Sequence, residues 1–581
     1  MTDHPNVASF RSFVNEWLPT RLRALADVIE YSVDDSAVDS ISIHMKLADR
    51  NGGVSVTYSD IPAPRADGTF LIGTTERAVT AAADRADLAN AEIRCVGEQI
   101  RDEIEPRLVA PPDLPEYTAE LLQAWLPIDR WVSDFLIHSP TSQPIDSCNW
   151  LSRQTHLRRL RMPDDDAGFH RSQIGRACPI ETPEGPNCGK ILFLAAGAEI
   201  RDGKIVVIDD SPQAALGLSA SMVPLLEHND VPRQLMGCNM MRQWLTLGDR
   251  EPAPVVTVAE REGSSMMREW LDLGEREAAL VQTGNEPESG EAWYGRNLLT
   301  GYIFWKNINY EDGIVVSESA AAKLASPDPL DIGDKLSNRH GTKGTIGAIL
   351  PDDEMPRMPD GTPVDLIFDM SGLHTRNNFG QIREAVLGNI AHARRQPIIC
   401  PPFGSPSADE IREMLREVGL PESGQQQLAD GDRPLDMPST VGYVYWGKTF
   451  HRAADKLGAW AADPVLVSRR QRQGEMENWA LRSCGAFENI LENINTRSMD
   501  RAGIGRLVDE VVGGPVRQSP APSALFQKLQ QRIRTAGILA SFDGHEVSFS
   551  LAKPSPEDAP LSLPVPHPWC AEIELTHVGP P

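Results

Sequence analysis

The chain has 581 residues and a formal net charge of −26. The length predicts about two to four domains. This acidity disfavours a protein coated with nucleic acid, although it allows a local basic channel. No apolar run reaches the roughly 18 residues of a membrane helix, and the N-terminus lacks the pattern of a secretory signal. Eight cysteines without a C-x-x-C pair predict a reduced cytoplasmic protein that lacks structural zinc.

In chain order, the first 130 residues mix helical and strand patterns. DGTFLIGTTERAV (67–79) predicts a hairpin, and IRCVGEQIRDEIEPRL (93–108) predicts an amphipathic helix. PPDLP (111–115) is typical of a domain boundary. CPIETPEGPNCGK (178–190) is rich in glycine and proline and predicts a loop.

Residues 295–400 read as short strands broken by glycines. TGYIFWKNI, GIVVSE, GTIGAIL and PVDLIFD follow one another in this stretch. Such strands predict a barrel. Residues 475–500 have helical periodicity, a Pro/Ser linker begins after 514, and KLQQRIRTAGI predicts a further short helix. The proline-rich tail from 553 is expected to be extended.

Two short stretches resemble phosphate or metal motifs by chance. GYVYWGKT (442–449) satisfies G-x-x-x-x-G-K-[ST], but its variable positions are bulky strand formers that cannot curl around a phosphate. We predict a buried strand there. LADGDRPLD, with Asp430 and Asp432, is similar to a magnesium-binding aspartate triplet but lacks its first aspartate, so a surface turn is expected.

GDKLSNRHGTKG (333–344) is better suited to phosphates. It places Lys335, Arg339, His340 and Lys343 among glycines that let the backbone turn. Two lysines eight residues apart can reach successive phosphates of one strand. Two further basic stretches, RQTHLRRLR and SRRQRQ, are compatible with either a nucleic-acid surface or a solvated face.

Together with this motif, several segments resemble the beta subunit of bacterial multi-subunit RNA polymerase, in the order of that family. They are GTFLIGTTERAV, QPIDSCNWLSRQTHLRRL, GRACPIETPEGPN, RQLMGCNMMRQ, NINYEDGIVVSE, GDKLSNRHGTKG, GTPVDLIFDMSGLHTRNNFGQIRE, TVGYVYWGK and GEMENWAL. The resemblance implies a mixed α+β, multidomain fold around a double-psi β-barrel. It implies a reduced protrusion and lobe at 1–130, a fork and hybrid wall at 131–230, the barrel at 231–400, an anchor at 401–513, and a linker, short helix and tail at 514–581.

The resemblance also implies roles for individual residues. Lys335 and Lys343 match lysines near the RNA 3′ end, Arg233 and Arg376 match arginines that hold the incoming triphosphate, and Glu311 and Asp312 match an acidic pair near the second magnesium ion. Contacts to the RNA–DNA hybrid are implied for Gln143, Asp146, Asn149, His156, Arg159, Pro183, Glu184, Asn187, Asn239, Arg339 and His340.

The family further implies Mg²⁺ held mainly by a beta-prime-like partner, alpha-like subunits, a DNA template, RNA, nucleoside triphosphates and a nucleoid-associated location. The isolated chain is expected to be inactive, because no segment supplies the aspartates for the first metal ion.

This chain departs from the family pattern. Only a few residues separate Ser326 from Asp331, where the family inserts the flap. Much of the family's N-terminal lobe is also missing. Gly458 and Asp166 stand where the family has histidine and arginine, and the basic loop before GEMENWAL is shortened to SRRQRQ. Two functions therefore stay open: a beta-type subunit of an active, divergent polymerase, and a non-catalytic paralogue that docks on a polymerase subunit to regulate or interfere with it.

Overall fold

A computed structural model describes most of the chain. The described residues are 4–48, 52–111, 117–164, 168–245, 276–306, 308–325, 329–456, 475–492, 530–531, 533–534, 538–542 and 547–551. The chain divides into two compact units, residues 1–457 and 458–581. The five-part division expected from the sequence stays a prediction.

The first unit begins with a continuous helical segment that packs with a small sheet. The elements are α1 (Pro5–Ser12), a π-helical turn (Phe13–Trp17), α2 (Leu18–Leu25), β1 (Val28–Asp34), β2 (Ser40–Leu47), β3 (Val54–Pro62), α3 (Val96–Ile104), α4 (Ala119–Trp125) and α5 (Ile128–His138). Strands β1, β2 and β3 form an antiparallel sheet. One apolar core runs from Phe10 to Leu136, so both sides of the 111–115 segment pack together. The helix predicted within 93–108 is confirmed as α3.

Two further small sheets follow. Their elements are β4 (Phe70–Ile72), β5 (Thr75–Val79), β6 (Ala81–Ala83), β7 (Ile93–Arg94), β8 (Ser142–Pro144), α6 (Trp150–Leu157), β9 (Arg159–Arg161), β10 (Ile191–Phe193), β11 (Ala198–Arg201) and β12 (Lys204–Val207). The predicted hairpin is confirmed as β4–β5, with Gly73 at φ 61° in its turn, where L side chains are strained. Residues 178–190 form the predicted loop.

The rest of the first unit is built around a barrel. Its elements are α7 (Val231–Met241), β13 (Val281–Gln282), β14 (Arg296–Tyr302), β15 (Gly313–Ser317), α8 (Glu318–Lys323), β16 (Lys335–Asn338), β17 (Lys343–Leu350), β18 (Leu366–Phe368), α9 (Ser371–Arg376), α10 (Gly380–Arg394), β19 (Ile398–Ile399), α11 (Ala408–Glu417), β20 (Gln425–Gln426), β21 (Ala429–Asp430), β22 (Arg433–Pro434), β23 (Ser439–Lys448) and α12 (Ala453–Lys456).

Six strands close on themselves in the order β14–β18–β15–β17–β16–β23, and β23 pairs back to β14. The pairs β14–β18 and β15–β17 are parallel, and the others are antiparallel. This closed barrel confirms the mixed α+β fold class. Apolar side chains such as Leu298, Ile314, Leu336 and Trp446 fill it.

The barrel needs a strand from outside the predicted range of 231–400. That strand is β23, which contains GYVYWGKT. Lys448 is completely buried, and its Nζ donates to Pro329 O at 3.1 Å. The prediction of a buried strand in place of a P-loop is confirmed, and the prediction that segments within 231–400 suffice for the barrel was wrong. Asp430 ends β21 and Asp432 lies in the exposed turn that leads to β22, as predicted.

Helix α10 packs directly across β23, because glycines remove side chains from the contact. A Cβ on Gly442 would come within 2.0 Å of Ala385 O, and one on Gly388 within 2.2 Å of Tyr443 O. Only glycine permits this backbone approach. The close packing fixes α10, and with it Glu384, against the wall of the barrel.

The second unit contains α13 (Glu475–Ser483), α14 (Phe487–Glu492), helical residues at 530–534 and the antiparallel pair β24 (Ile538–Phe542) and β25 (Val547–Leu551). These confirm the helical pattern up to Glu492 and the short helix after 528. The linker expected after 514 and the tail from 553 lie outside the described residues. Among the described helices, none combines the length and apolar character that crossing a membrane requires.

Candidate phosphate-binding site

Lys335 and Lys343 lie on the same face of the β16–β17 hairpin. Lys335 is paired with Thr345, and Ser337 is paired with Lys343. Paired residues project to one side of the sheet, so the two lysines are diagonal neighbours about 7–8 Å apart. Both side chains are half-buried. Both lysine side chains therefore leave the hairpin on one face.

Helix α7 brings Arg233 to this hairpin. Gly341 packs on Arg233 O, where an added Cβ would lie only 2.3 Å away, and Gly237 packs equally closely on Arg339 O. One turn beyond Arg233, the Met236 Sδ lies 3.7 Å from Lys343 Nζ. The two glycines therefore let the start of α7 rest directly on the turn between the lysine strands.

Arg376, the last residue of α9, reaches the hairpin through the turn before β15. Its guanidinium forms a bidentate ion pair with Asp312, in which Nη2 lies 2.8 Å from Oδ2. Asp312 O accepts a hydrogen bond from Thr345 N at 3.0 Å. Glu311, next to it, is exposed and has a left-handed backbone with φ 45°. The turn therefore joins Arg376 to the strand that carries Lys343.

The electrostatics agree with this clustering. Burial, and then the neighbouring Arg376, lower the pKa of Arg233, while Asp312 and Glu184 oppose the shift. The hydrogen bonds to Asp312 raise the pKa of Arg376, and the charge of Glu311 adds to this. Within the described part of the chain, Arg233, Lys335 and Lys343 have no carboxylate at ion-pair distance. Three of the four predicted phosphate-binding cations thus have no carboxylate partner there.

Arg339 and His340 were predicted to contact nucleic acid, and their burial contradicts this. Arg339 is 2% exposed and His340 is fully buried. Both contact Glu384 of α10: Arg339 Nη2 lies 2.6 Å from its Oε1, and the His340 Nε2 bonds to its Oε2. A buried charge requires such partners. We therefore correct the prediction: these side chains hold the turn against α10.

The ionisation of this buried group follows from its contacts. Burial would raise the pKa of Glu384, but Arg339 and His340 outweigh it and lower the value to about 2. Burial lowers the pKa of His340, so its imidazole is neutral. Its Nε2–H donates to Glu384, and its Nδ1 accepts from the Asn229 amide at 3.1 Å. The hydrogen bonds thus select one tautomer.

Arg159 and Gln143 fit a surface role. Gln143 is exposed on β8, and Arg159 Nη1 lies 3.5 Å from its Oε1. The Arg159 guanidinium lies 5.8 Å from the centre of the Phe193 ring, and burial, followed by the charge of Arg242, lowers its pKa to about 10. The other arginines of RQTHLRRLR bond to protein groups; Arg153, for example, pairs with Glu76 and Asp67.

Asn149 and His156 were also predicted to contact the hybrid, and this was wrong because both are buried. Asn149 caps α6, and its amide donates to Met241 O and Trp244 O at 2.8 Å. The His156 Nδ1 accepts the backbone N–H of Asp146 at 2.9 Å. Asp146 is half-buried, and its carboxylate accepts from Cys148 N. These side chains therefore hold α6 and the segment before it in place through hydrogen bonds within the protein.

The 178–190 loop exposes Glu184 and Asn187, with Pro183 half-buried. Its base is held by Glu181, which is 1% exposed and lies 3.0 Å from Arg242 Nη1. Arg242 also donates to Asn239, so this predicted hybrid contact is engaged within the protein. Sequence analysis missed Glu181, Arg242 and Glu384. For Arg242 and Glu384, a charged residue next to an apolar stretch was the available signal, and the sequence around Glu181 offered none.

The two carboxylates at this site are too few to form a metal site by themselves. They suit only an ion that another molecule also binds. Glu311 and Asp312 supply oxygen ligands of the kind that Mg²⁺ prefers. No group of three or more His, Cys, Asp or Glu suited to a metal ion occurs among the described residues. Mg²⁺ commonly binds through one or two protein carboxylates with its other ligands supplied from elsewhere, so the magnesium role of this pair stays a prediction.

Comparison with known proteins agrees with the architecture. Residues 320–474 match the family model for RNA polymerase Rpb2, domain 6, and residues 143–200 match that for RNA polymerase Rpb2, domain 3. The first match contains most of the barrel with α10, and the second contains the Arg159 wall and the 178–190 loop.

The chain is also similar to curated proteins named DNA-directed RNA polymerase subunit beta. It is 23% identical to the one from Acetivibrio thermocellus over 84% of this chain and 61% of that protein. It is 24% identical to the one from Treponema denticola, over 77% and 62%. The chain spans about three fifths of the length of these relatives. The chain is therefore beta-like: two Rpb2 domain models match parts of it, and it is similar to bacterial RNA polymerase beta subunits over 77–84% of its length.

Proposed function

We propose that this chain is a beta-like subunit of a DNA-dependent RNA polymerase, a nucleotidyltransferase that acts only as a complex. In this proposal it binds the RNA–DNA hybrid and the phosphates of the incoming nucleotide. A beta-prime-like partner completes the active site, and alpha-like subunits support the assembly. The observation that carries the proposal is the convergence of Arg233, Lys335, Lys343 and Arg376 around one barrel hairpin.

Phosphoryl transfer requires positioning and charge stabilisation more than covalent chemistry from the protein. The guanidinium groups of Arg233 and Arg376 suit the oxygens of a triphosphate, since they donate in pairs. Lys335 and Lys343 act as point charges for backbone phosphates. Glu311 and Asp312 would hold the magnesium ion that accompanies the triphosphate, which neutralises charge on its oxygens.

Arg159, Gln143 and the exposed part of the 178–190 loop would form the wall beside the hybrid. Arg159 is suited to this role because its guanidinium has no carboxylate partner in the described part of the chain. Glu181 and Arg242 would keep the loop in place by joining its base to α7, the helix that carries Arg233.

A second candidate is a non-catalytic paralogue that docks on a polymerase subunit. The net charge of −26 and the short connection between α8 and β16 favour it. Residues 324–334 form this connection and are too few for a flap domain. Retention of four cations at one site favours the catalytic proposal, because a docking module has no need of all four.

Co-purification followed by primer extension tests the proposal. The tagged chain should copurify with a beta-prime-like subunit, and the complex should extend an RNA primer on a DNA template with Mg²⁺. Lys343→Ala in the same complex should lower extension strongly. Without a flap, phosphate contacts supply a larger share of the binding free energy for nucleic acid. Primer extension should therefore fall steeply as the salt concentration rises. A stable complex that never extends a primer would favour the docking module.

A further inference from the structure

Trp244 lies just beyond the end of α7 and packs on the outer face of the barrel. Its indole Nε1–H donates to Ser337 Oγ at 2.7 Å, and the two residues are 1% and 0% exposed. Gly447 lies under the ring, where an added Cβ would come within 2.1 Å of Trp244 Cδ2. Only a residue without a side chain leaves room for the indole there. Trp244 is therefore held at one defined place on β16 and β23.

This place is next to the two lysines of the candidate phosphate-binding site. Ser337 pairs with Lys343 on one side and with Gly447 on the other. Lys335 precedes Ser337 by two residues on the same strand, so its side chain leaves by the same face of the sheet. The hydroxyl that accepts from Trp244 therefore lies on the face that carries both lysines.

Helix α7 is attached to this face at both of its ends. Near its start, Gly341 packs directly on Arg233 O. Just beyond its end, the side chain of Trp244 bonds to β16, and Leu245 N donates to Lys448 O at 2.7 Å. The ladder hydrogen bonds keep the lysine strands in place. Loss of the Trp244 contact would therefore let α7 move, and Arg233 with it, relative to the lysines.

The backbone of Trp244 also contacts the support of the Arg159 wall. Trp244 O accepts a hydrogen bond from the Asn149 amide at 2.8 Å, and Asn149 caps α6. Helix α6 leads into β9, which begins with Arg159. Trp244 therefore joins three parts of the molecule: the lysine strand, α7 and the helix before the wall.

We infer that Trp244 is a positioning residue of the phosphate-binding site, and this inference rests on the proposed function. Through Ser337, Trp244 fixes the distance between Arg233 on α7 and the two lysines on the hairpin. Trp244 is buried and does not contact the phosphates itself. A polyphosphate that spans the three cations binds more tightly when they are held at matching distances beforehand, because less ordering is needed on binding.

Titration calorimetry of the full chain with inorganic tripolyphosphate tests this inference. Trp244→Phe removes the indole N–H and should weaken binding about 5- to 10-fold, close to the loss of one charge-assisted hydrogen bond. Trp446→Phe is the matched control. The Trp446 indole is also fully buried and donates to Thr300 Oγ1 at 3.0 Å, but it lies in the core of the barrel. This variant should change the affinity less than about twofold.

A double-mutant cycle tests whether Trp244 acts through Arg233. In the Arg233→Gln chain, Trp244→Phe should weaken binding less than about twofold, because the cation that Trp244 positions is absent. An equal fold-loss with and without Arg233 would overturn the inference, and so would an equal loss for Trp446→Phe. If Trp244→Phe does not fold, Ser337→Ala removes only the acceptor of the same hydrogen bond, and it should weaken binding several-fold.

Hydrogen exchange without any ligand separates this inference from the proposed function. The amide protons of α7 should exchange several-fold faster in Trp244→Phe than in Trp446→Phe, because local opening becomes easier where a contact is lost. Equal exchange of α7 in the two variants would overturn the inference and leave the proposed function intact. Faster exchange in a chain whose natural form does not bind tripolyphosphate would instead contradict the proposed function.

Discussion

Basic residues occur both on the strands of the β16–β17 hairpin and in the turn that joins them. The two sets differ in burial and in whether they have a carboxylate partner. Lys335 and Lys343, on the strands, are half-buried and lack carboxylate partners in the described residues. Arg339 and His340, in the turn, are buried and bound to Glu384. Twelve residues thus contain both a set of free cations and a structural cation cluster. The partner of a basic residue, more than its presence in a motif, indicates what it does.

The largest effect that separates the two regions is expected on stability. Glu384→Ala leaves the buried Arg339 with only the more distant Glu286, 3.9 Å from its Nη1, so the free energy of unfolding should fall by about 3 kcal/mol. Lys335→Ala and Lys343→Ala should change it by less than about 1 kcal/mol, because neither lysine has an ion pair to lose. Urea denaturation followed by tryptophan fluorescence measures both. Similar losses of unfolding free energy for Glu384→Ala and for the lysine variants would show that the turn and the strands do not differ in their contribution to stability.

Two buried histidines, His340 in the turn and His156 in α6, should also make stability depend on pH. Burial lowers the pKa of His340 and His156 below 6.5, so the unfolded chain binds protons first as pH falls. Stability should therefore decline below pH 6.5, by up to about 1.4 kcal/mol per pH unit for each histidine that stays neutral. Glu384, with its pKa lowered to about 2, adds a loss as pH falls from 4.5 towards 2.

Thermal melting from pH 7.5 to 5 measures the histidine contribution. His156→Gln should reduce the slope, because it removes one of the two histidines whose pKa burial lowers. A melting temperature independent of pH in this range would show that the buried histidines do not stay neutral.

The strands should dominate phosphate binding. Lys335→Ala or Lys343→Ala should each weaken tripolyphosphate binding about tenfold, the scale of one charge-assisted hydrogen bond. Lys448→Met is the control within the barrel: its ammonium is buried near Asp334, so the substitution should lower the melting temperature and leave the affinity unchanged. A loss of affinity for Lys448→Met equal to that for Lys343→Ala would indicate that GYVYWGKT binds phosphate as a P-loop does.

The smallest effect is expected from the exposed loop. Glu184 acts on Arg233 from a distance and is open to solvent. Glu184→Gln should therefore raise tripolyphosphate affinity about twofold at low salt and less at high salt, since exposed charges are screened. Calorimetry at two salt concentrations decides this. A gain that does not depend on salt would mean that Glu184 contacts the ligand directly.

Local patterns were sufficient for much of the fold. The glycine-broken strands predict the barrel, and the bulky residues of GYVYWGKT predict a buried strand. The pattern could not show that this strand closes the barrel, because β23 pairs with β14 across more than a hundred residues. Contacts of such separation leave no periodic signal in the sequence.

The site shows the same limit. Residue type and motif led to Lys335, Lys343, Arg233 and Arg376, which the fold brings together. They also led to Arg339 and His340, whose partner Glu384 lies 45 residues away for the arginine and 44 for the histidine. Burial and pairing over that distance are set by α10 packing on β23. A sequence read alone cannot distinguish a free cation from one neutralised in this way.

Lysine footprinting by acetylation and mass spectrometry tests most directly whether the unpaired cations form the phosphate site. The full chain is labelled with and without tripolyphosphate, and each lysine serves as its own probe. We expect the labelling of Lys335 and Lys343 to fall several-fold with the ligand, while Lys448 stays unlabelled in both cases and the labelling of the exposed Lys306 does not change. Equal labelling of Lys335 and Lys343 with and without tripolyphosphate would contradict it.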